Sequence, residues 1–521
     1  MAADRLSSLP DDLLRRVLRF APAREGAATA ALSRRWRTIW RTSRAVNLVA
    51  RRRRVNGGLE SPEDFLRAAA AALDAADADA DARVTRLTFL VEALYPHEVY
   101  TFLRPPGGER DVVAAVLSHP APRRVEELRV VVGSDHLRGY YSLSFGALPS
   151  STLRLLHLVG CGDLELPPPP AVVFPRLEAA RLEVCSVRLS DLQRVVDAAP
   201  RLAALDLEHC SFQGDEAGGH GLHCPSLTSL ALVNCRWWPR EEDDLELHAP
   251  LLQYFSFEGH VGDARLVSLR KSPAASSLIR VDLQFGRCAR GGNELNETIR
   301  DFFWQLVRNF SVTKVLKVKL EFGMGHIAIV DEKDRDAILG TDLLSNVERL
   351  ELQGRYDPES NSDAMAIANF LHCCPVLRDL RLKLNTEASQ IMRIVSPLQR
   401  HQLDLDKSID NFRRRRRSMI PLGVDDDDNY YAEVSDIPCL SEHSFNCLQS
   451  YLRRVSLQFW MEDQTRFGIQ LAKFFADNAL VLEEMHIADG CHKMCEHINR
   501  RIGRWAARRR NSRFTVLPGQ M

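Results

Sequence analysis

Four stretches of the chain align with one another without gaps: FPRLEAARLEVC (residues 174–185), APRLAALDLEHC (199–210), CPSLTSLALVNC (224–235) and APLLQYFSFEGH (249–260). Each stretch begins 25 residues after the one before it. In the second half of each stretch, apolar residues alternate with other residues, which predicts a short strand with one buried face. A unit of this size cannot bury its apolar face alone, so neighbouring units are expected to stack.

The spacing of the apolar positions is the leucine-rich repeat pattern, L-x-x-L-x-L-x-x-N/C. If any apolar residue is accepted at these positions, the pattern occurs 13 times between Val84 and Ile487. One of the later copies is placed at Val315, Val318 and Leu320. Helical apolar spacing often precedes the strand, as in LSDLQRVVDAAPRL (residues 189–202). The sequence therefore predicts an α/β fold, a curved solenoid whose parallel sheet lines the concave face.

Composition narrows the range of partners. The 521 residues carry 69 basic and 69 acidic side chains, so no general attraction to nucleic acid or to a membrane surface is expected. No apolar run approaches the ~18 residues of a membrane span, and the N-terminus does not resemble a signal peptide. The 12 cysteines do not form a disulfide framework, and those at the ends of the repeats are expected to be small buried residues. A cytoplasmic or nuclear protein is predicted.

Motifs that could support catalysis are few. LEFGMGHIA (residues 320–328) has the glycine spacing of a dinucleotide-binding turn, but the residues that follow favour a strand, so a turn within the array is the better interpretation. CHKMCEH (491–497) contains four possible zinc ligands that lie too close together for a structural zinc site. Basic runs at residues 51–54, 413–417 and 508–510 are interpreted as solvated loops, with nuclear import as the alternative. No enzyme, cofactor or metal is predicted.

The strand residues that lie between the inward leucines are the candidate substrate-binding residues. They mix both charges with polar and aromatic groups, which suits recognition of a protein or small ligand better than of a polyanion. They are Arg181, Glu183, Asp206, Glu208, Tyr254, Ser256 and Glu258.

The N-terminal segment has two amphipathic helical patterns that stand apart from the repeats. In LSSLPDDLLRRVLRFAP (residues 6–22), one face is expected to carry Leu13, Leu14, Val17, Leu18 and Ala21. In AALSRRWRTIWRT (30–42), Leu32, Trp36, Ile39 and Trp40 form a second stripe. A unit of this size cannot bury all of these large apolar side chains. We therefore expect the repeat array or another protein to cover those that remain exposed.

The whole stretch LSSLPDDLLRRVLRFAPAREGAATAALSRRWRTIW (residues 6–40) resembles an F-box. Near the C-terminus, CLQSYLRRVSL (447–457) and LAKFFADNALVLEEMHI (471–487) resemble the FBD domain with which certain plant F-box/leucine-rich repeat proteins end. The expected domains are an F-box at 1–48, a connector with a first degenerate repeat at 49–120, leucine-rich repeats at 121–406, a charged insert at 407–436 and an FBD domain at 437–519.

This resemblance implies that the chain is a non-catalytic substrate receptor of a cullin-RING ubiquitin ligase. Its F-box would dock on a Skp-type adaptor, and its repeats would select a target protein whose identity the sequence does not reveal. The residues that would contact the adaptor or support that surface are Leu9, Pro10, Leu13, Val17, Leu18, Leu32, Ser33, Trp36 and Trp40. The alternative is an interaction scaffold whose F-box does not promote degradation. Gly26 is expected to weaken the middle F-box helix, because glycine costs about 1 kcal/mol relative to alanine.

Overall fold

The computed structural model describes residues 8–50, 58–78, 83–93, 95–105, 111–134, 141–144, 148–149, 151–165, 174–213, 221–238, 245–261, 267–269, 278–286, 296–339, 343–356, 361–385, 436–459, 467–488 and 515–518. The chain divides into two compact units. The first comprises residues 1–256 and 266–277, and the second comprises residues 257–265 and 278–521. Mixed α/β structure with N-terminal helices followed by parallel strands confirms the predicted fold class.

The first unit begins with three short helices, α1 (Asp11–Leu18), α2 (Ala23–Ala28) and α3 (Arg34–Arg41), with a 3-10 turn at Thr29–Ala31 after α2. Buried side chains of α1 and α3 form one hydrophobic cluster. Its members are Leu14, Leu18, Trp36, Ile39 and Trp40. Ala75 of the next helix, α4 (Pro62–Asp77), packs against this cluster, so the core of the helical module includes a residue from outside the F-box.

Parallel strands make up the main sheet of the first unit. In spatial order they are β1 (Ala45–Val49), β2 (Arg86–Ala93), β3 (Glu127–Ser134), β5 (Leu155–Val159), β7 (Ala179–Glu183), β9 (Ala204–Glu208) and β12 (Ser229–Val233). The helices of the unit that follow α4 are α5 (Pro96–Leu103), α6 (Val112–Leu117) and α7 (Leu189–Ala198), with a 3-10 turn at Ala121–Arg124. Strand β1, directly after α3, pairs with β2 and was not predicted from the repeat pattern.

Short parallel strands form smaller sheets in the same unit. They are β4 (Tyr141–Ser144) with β6 (Cys161–Glu165), then β8 (Ser186–Arg188), β10 (Ser211–Gln213) and β13 (Arg236–Trp238), and then β11 (Gly221–His223), β14 (Leu245–His248) and β16 (Val267–Leu269). Strand β15 (Tyr254–Gly259) contains the division between the two units, which falls after Ser256.

The 25-residue period fixes the register of the central strands. Leu182 lies opposite Leu207, and Leu207 opposite Leu232, and all three side chains are buried. Burial alternates along β7, β9 and β12, so the residues between the leucines face away from the core. The predicted strand pattern is therefore confirmed in these repeats. We call the side of the strands that carries these outward residues the open face.

Each central strand is followed by a residue with a left-handed backbone conformation and then by a buried cysteine. Val184, His209 and Asn234 all have φ near +50°, and they precede Cys185, Cys210 and Cys235. The thiols donate to carbonyls of the preceding strand, for example Cys210 Sγ to Leu182 O at 3.3 Å. The hydrogen bond with the Cys185 thiol, together with burial, raises the pKa of Cys210. These contacts confirm that the repeat cysteines are small buried residues.

The second unit contains a second run of parallel strands in chain order. They are β17 (Arg280–Phe285), β18 (Val315–Gly323), β19 (Arg349–Arg355), β20 (Asp379–Asn385), β21 (Arg454–Phe459), β22 (Glu484–Ala488) and β23 (Thr515–Pro518). Its helices are α8 (Asn296–Arg308), α9 (Glu332–Leu339), α10 (Ser362–Cys373), α11 (Pro438–Ser441), α12 (Asn446–Ser450) and α13 (Phe467–Asn478), with a 3-10 turn at Met324–Ile327. Across the described residues of both units, no helix has the length and apolar character needed to span a membrane.

The copy of the repeat placed at Val315, Val318 and Leu320 is out of register by two residues. Leu316 lies opposite Leu350, and Val318 lies opposite Leu352. The first position of this copy is therefore Thr313, which is fully buried and whose hydroxyl donates to Ile279 O at 3.0 Å. The prediction was wrong because it required an apolar residue where a hydrogen-bonded threonine fills the site.

The glycine turn after β18 has structural partners. Instead of an α-helix, the 3-10 turn Met324–Ile327 follows Gly323, and its Ile327 carbonyl accepts from Trp304 Nε1 at 2.8 Å. A Cβ on Gly325 would lie 2.2 Å from Ser362 Oγ and 3.0 Å from Ser362 Cβ, so the glycine favours close packing of this turn against α10. The interpretation as a turn within the array fits these contacts, and the helix that a dinucleotide site requires does not follow the strand.

Candidate functional site

The first helix divides its apolar residues between two faces. Leu14 and Leu18 are buried in the cluster of the helical module. Leu13, Val17 and Phe20 have exposed fractions of 44%, 54% and 66%. The expectation that Leu13, Leu14, Val17 and Leu18 share one face is therefore wrong, because the stripe is wide enough to supply both a core and an exposed surface.

The two tryptophans of α3 do not belong to the exposed surface. Trp36 and Trp40 are 7% and 5% exposed and lie in the same cluster as Leu14. The chain itself buries both tryptophans, so they are not part of the apolar surplus that the array or another protein was expected to cover. Leu32, which precedes α3, is 69% exposed.

The remaining predicted adaptor-binding residues have identifiable structural roles. Ser33 caps α3, because its hydroxyl accepts from the backbone N–H of Trp36 at 3.4 Å. The Pro10 carbonyl accepts from the N–H groups of Leu13 and Leu14, which starts α1. Leu9 is half-buried against the helical cluster.

Gly26 of α2 makes room for Trp40. A Cβ at position 26 would lie 2.4 Å from Trp40 Nε1 and 2.6 Å from Trp40 Cδ1. Real Cβ atoms do not approach neighbouring atoms so closely, and the indole ring is buried. The expectation that this glycine only weakens the helix is therefore incomplete, because the glycine permits close packing of α2 on α3.

A set of polar contacts joins the end of α1 to the first strands of the sheet. Asn47 of β1 is buried, and its side-chain amide donates to the carbonyls of Arg19 and Ala21 at 2.9 and 2.8 Å. The Arg19 guanidinium donates to Glu127 Oε1 at 2.9 Å. The Arg86 guanidinium lies 4.7 Å from the centre of the Phe20 ring. Burial lowers the pKa of Arg86, and the charge of Glu127 opposes this shift. The exposed face of α1 is thus fixed relative to the strands of the same unit.

The open face of the first unit carries the predicted substrate-binding residues. Arg181 pairs with Glu208 at 2.5 Å and lies 3.9 Å from Glu183. Burial raises the pKa of Asp206, and the charge of Arg181 opposes this shift. The structure brings these four side chains together as neighbours on β7 and β9, where the single positive charge of Arg181 is shared among three carboxylates.

The residues predicted on β15 lie on both sides of the division between units. Tyr254 and Ser256 belong to the first unit and are half-buried. Glu258 belongs to the second unit and accepts from Gln284 Nε2 at 3.0 Å. Of the seven predicted residues, four thus lie together on β7 and β9, and the three on β15 are divided between the two units.

Two features of the surface were not predicted. Phe20 lies just beyond the end of α1, and its helical spacing from Leu13 and Val17 was the signal that could have revealed it. The open face of the second unit is rich in Lys and Arg, and alternation along β18 to β21 could have revealed it, but the prediction was restricted to the regular repeats.

A metal site needs several donor side chains close together. Among the described residues, no three His, Cys, Asp or Glu side chains are arranged to hold a metal ion. The possible zinc ligands Cys491, His492, Cys495 and His497 lie outside the described residues. The basic runs at 51–54, 413–417 and 508–510 also lie outside them, as does nearly all of the charged insert at 407–436.

Comparison with known families agrees with the helical module and the repeats. Residues 6–45 match the F-box domain, and residues 113–268 match the family described as "FBD-associated F-box protein At5g56370, LRR repeats". The chain therefore combines an F-box domain with leucine-rich repeats of the FBD-associated F-box type.

Two proteins of Arabidopsis thaliana are similar to this chain over 46 residues. The FBD-associated F-box protein At3g12840 is 56% identical there, over 9% of this chain and 25% of the relative. The F-box/FBD/LRR-repeat protein At3g49480 is 50% identical, over 9% of this chain and 10% of the relative. The similarity thus spans a quarter or less of the length of either relative.

Proposed function

We propose that this chain is the substrate-recognition subunit of an SCF-type ubiquitin ligase and has no catalytic role of its own. Its F-box would dock on a Skp-type adaptor and through it on a cullin-RING ligase, and the open face of the strands would bind the target protein. The compartment we expect is the cytoplasm, the nucleus or both. The C-terminal part, residues 437–519, would act as the FBD domain that caps the array.

The observation that supports adaptor docking is the exposed apolar face of α1 and the residues beside it. Leu13, Val17 and Phe20 recur at helical spacing, and each is at least 44% exposed. Leu32 adds a fourth large exposed side chain on the same module. A cluster of exposed large apolar side chains is typical of a protein–protein interface. Burial of the exposed part of one such side chain contributes about 1–2 kcal/mol to association.

The residues assigned to docking now divide by role. Leu13, Val17 and Leu32 are the proposed contacts with the adaptor, and Phe20 joins them. Leu18, Trp36 and Trp40 support that surface from within the core, and Ser33 supports it as a helix cap. Pro10 and Leu9 set the start of α1, and Pro10 is exposed enough to contact the adaptor as well.

Adaptor affinity tests this proposal directly. The full chain is titrated with a purified plant Skp-type adaptor in a calorimeter, and Val17→Asp is compared with Val330→Asp. Val330 is an exposed valine of the second unit, so it controls for the introduction of a carboxylate on an exposed surface. We expect Val17→Asp to weaken binding at least about tenfold and Val330→Asp to leave it unchanged.

The result that would overturn the proposal is a wild-type chain that does not retain the adaptor while a typical F-box protein does under the same conditions. That result would favour the interaction scaffold. Leu13→Glu gives a second, independent test of the same face. Trp36→Ala is unsuitable, because removal of a buried indole would destabilise the module whether or not it binds an adaptor.

A further inference from the structure

The open face of the second unit has an excess of positive charge on four neighbouring strands. The outward residues of β18 to β21 form three rows across the strands, as the register of the pairs places them. We call the basic members of these rows the basic strip. They are Lys317, Lys319, Arg349, Arg381, Lys383 and Arg454.

Only two carboxylates lie within these rows, and both are covered. Asp379 is 7% exposed, and three guanidinium groups surround it, from Arg349 at 3.1 Å, Arg381 at 3.5 Å and Arg454 at 3.9 Å. One negative charge therefore faces three positive charges at this point. The arginine side chains are 45–53% exposed, so much of their positive charge faces solvent.

The second carboxylate repeats this arrangement one row further along the strands. Glu351 is 16% exposed and lies 2.7 Å from Lys383 Nζ and 3.8 Å from Lys317 Nζ. Six basic groups less two acidic groups leave a net charge of +4 on the three rows. Beyond these rows the register shifts, so Arg355 lies opposite Gly323, and Glu321 lies 3.7 Å from Lys319 Nζ. These two residues add one charge of each sign.

The corresponding rows of the first unit have the opposite balance. On β5, β7, β9 and β12 the outward residues include one arginine, Arg181, and three carboxylates, Glu183, Asp206 and Glu208. His157, whose pKa burial and the charge of Arg129 lower, adds little positive charge. A positive strip is therefore a property of particular repeats and does not follow from the repeat fold itself.

We propose that the basic strip is the docking surface for an acidic, extended segment of the partner protein. This inference deepens the proposed function, because it rests on the open face selecting the target and names the chemistry of that target. Four strands spaced about 4.8 Å apart span about 15 Å, which matches four to five residues of extended peptide. The guanidinium groups of Arg349, Arg381 and Arg454 on β19 to β21 can take carboxylates through paired hydrogen bonds, and lysines occupy the β18 end of the strip.

The composition of the rows favours a protein partner over a nucleic acid. The rows hold no aromatic side chain on which a base could stack, and the two interleaved carboxylates would repel a continuous phosphate backbone. Overall the chain carries no net charge, so long-range attraction to a polyanion is absent. Separate carboxylates of Asp and Glu side chains can instead be placed between the two negative sites.

Fluorescence anisotropy with the full chain tests this inference. The probe is a fluorescein-labelled peptide of about five residues rich in Glu, and the same peptide with Gln in place of Glu is the control. We expect the Glu peptide to bind, to bind less tightly as salt increases, and to lose at least about tenfold in affinity in the double variant Arg381→Gln/Arg454→Gln. Asp379 keeps its closest partner, Arg349, in that variant.

Two further variants make the result specific. Lys383→Gln leaves Glu351 paired with Lys317 and should weaken peptide binding about threefold or more, even if the arginine variant is poorly folded. Arg154→Gln removes a similarly exposed arginine, paired with Glu178, from the first unit and should change the affinity less than about twofold.

Three outcomes would overturn the inference. They are no binding of the Glu peptide by the wild-type chain, equal losses in Arg154→Gln and in the strip variants, and tighter binding of a single-stranded RNA of matched charge than of the peptide. Adaptor affinity of the same strip variants should equal that of the wild type. A failure of the peptide arm with adaptor binding intact would therefore remove this inference and leave the proposed docking in place.

Discussion

Substitution of Gly26 by alanine separates two opposing effects on the F-box. By helix propensity alone, alanine should stabilise α2 by about 1 kcal/mol. The structure predicts the opposite sign, because the new Cβ would lie 2.4 Å from Trp40 Nε1. Ordinary contacts between such atoms are about 3.5–4.0 Å, so the buried indole or the helix must move by about 1 Å.

The magnitude follows from the cost of overpacking a buried site, which is typically about 1–3 kcal/mol. After the gain in helix propensity is subtracted, we expect a net destabilisation of about 1 kcal/mol. Hydrogen exchange measured by mass spectrometry on the full chain reports this locally. Peptides that cover α2 and α3 should exchange about fivefold faster in Gly26→Ala, while peptides from the second unit should not change.

Ala28→Gly provides the matched control in the same helix. Ala28 is exposed, so its replacement removes helix propensity without changing a contact with Trp40, and exchange should accelerate by up to about fivefold. Both substitutions are thus expected to destabilise the module. Slower exchange in Gly26→Ala than in the wild type would refute the packing argument and restore the propensity interpretation.

Three further predictions follow from burial and hydrogen bonding. Leu14→Ala should destabilise the F-box by about 2–5 kcal/mol, because Leu14 is buried. Val17→Ala should change its stability by less than about 0.5 kcal/mol, because Val17 is exposed. Equal effects of the two substitutions in thermal unfolding would contradict the assignment of these residues to different faces. Asn47→Leu removes two donors from the carbonyls at the end of α1 and should accelerate amide exchange there at least about fivefold, so unchanged exchange would contradict it. Burial raises the pKa of Cys224 to about 12, and it also raises the pKa of Cys439, which is only partly buried. Iodoacetamide at about pH 8 should therefore alkylate Cys439 before Cys224 in the native chain, and equal rates measured by mass spectrometry would contradict this.

The repeats were predictable to the extent that their burial is periodic. In twelve of the 13 predicted copies all three apolar residues are buried, because apolar residues at fixed spacing leave only one way to bury them. Thr313 was missed because a buried hydroxyl with a backbone acceptor satisfies the same position. Strand β1 was missed because it follows α3 directly and has no preceding helix of the repeat type.

The links between the F-box and the sheet could not be predicted from periodicity. Asn47 gives no pattern in the sequence, since one buried amide is recognisable only when its acceptors are known. The basic strip was also missed, because the prediction was restricted to the regular repeats and the strands of the strip are separated by 23 or more residues of intervening chain. Only the register of the strands places them side by side.

The sequence alone could have shown that the N-terminal helical stripe has two contact surfaces. Successive residues of an α-helix are turned by about 100°, so Leu13 and Leu14 cannot both point at the centre of one packing surface. A stripe that includes both, repeated at Val17 and Leu18, covers an arc wider than one helix neighbour can bury. Such an arc implies two contacts, and since α3 takes only the arc that carries Leu14 and Leu18, the other arc remains available to a partner.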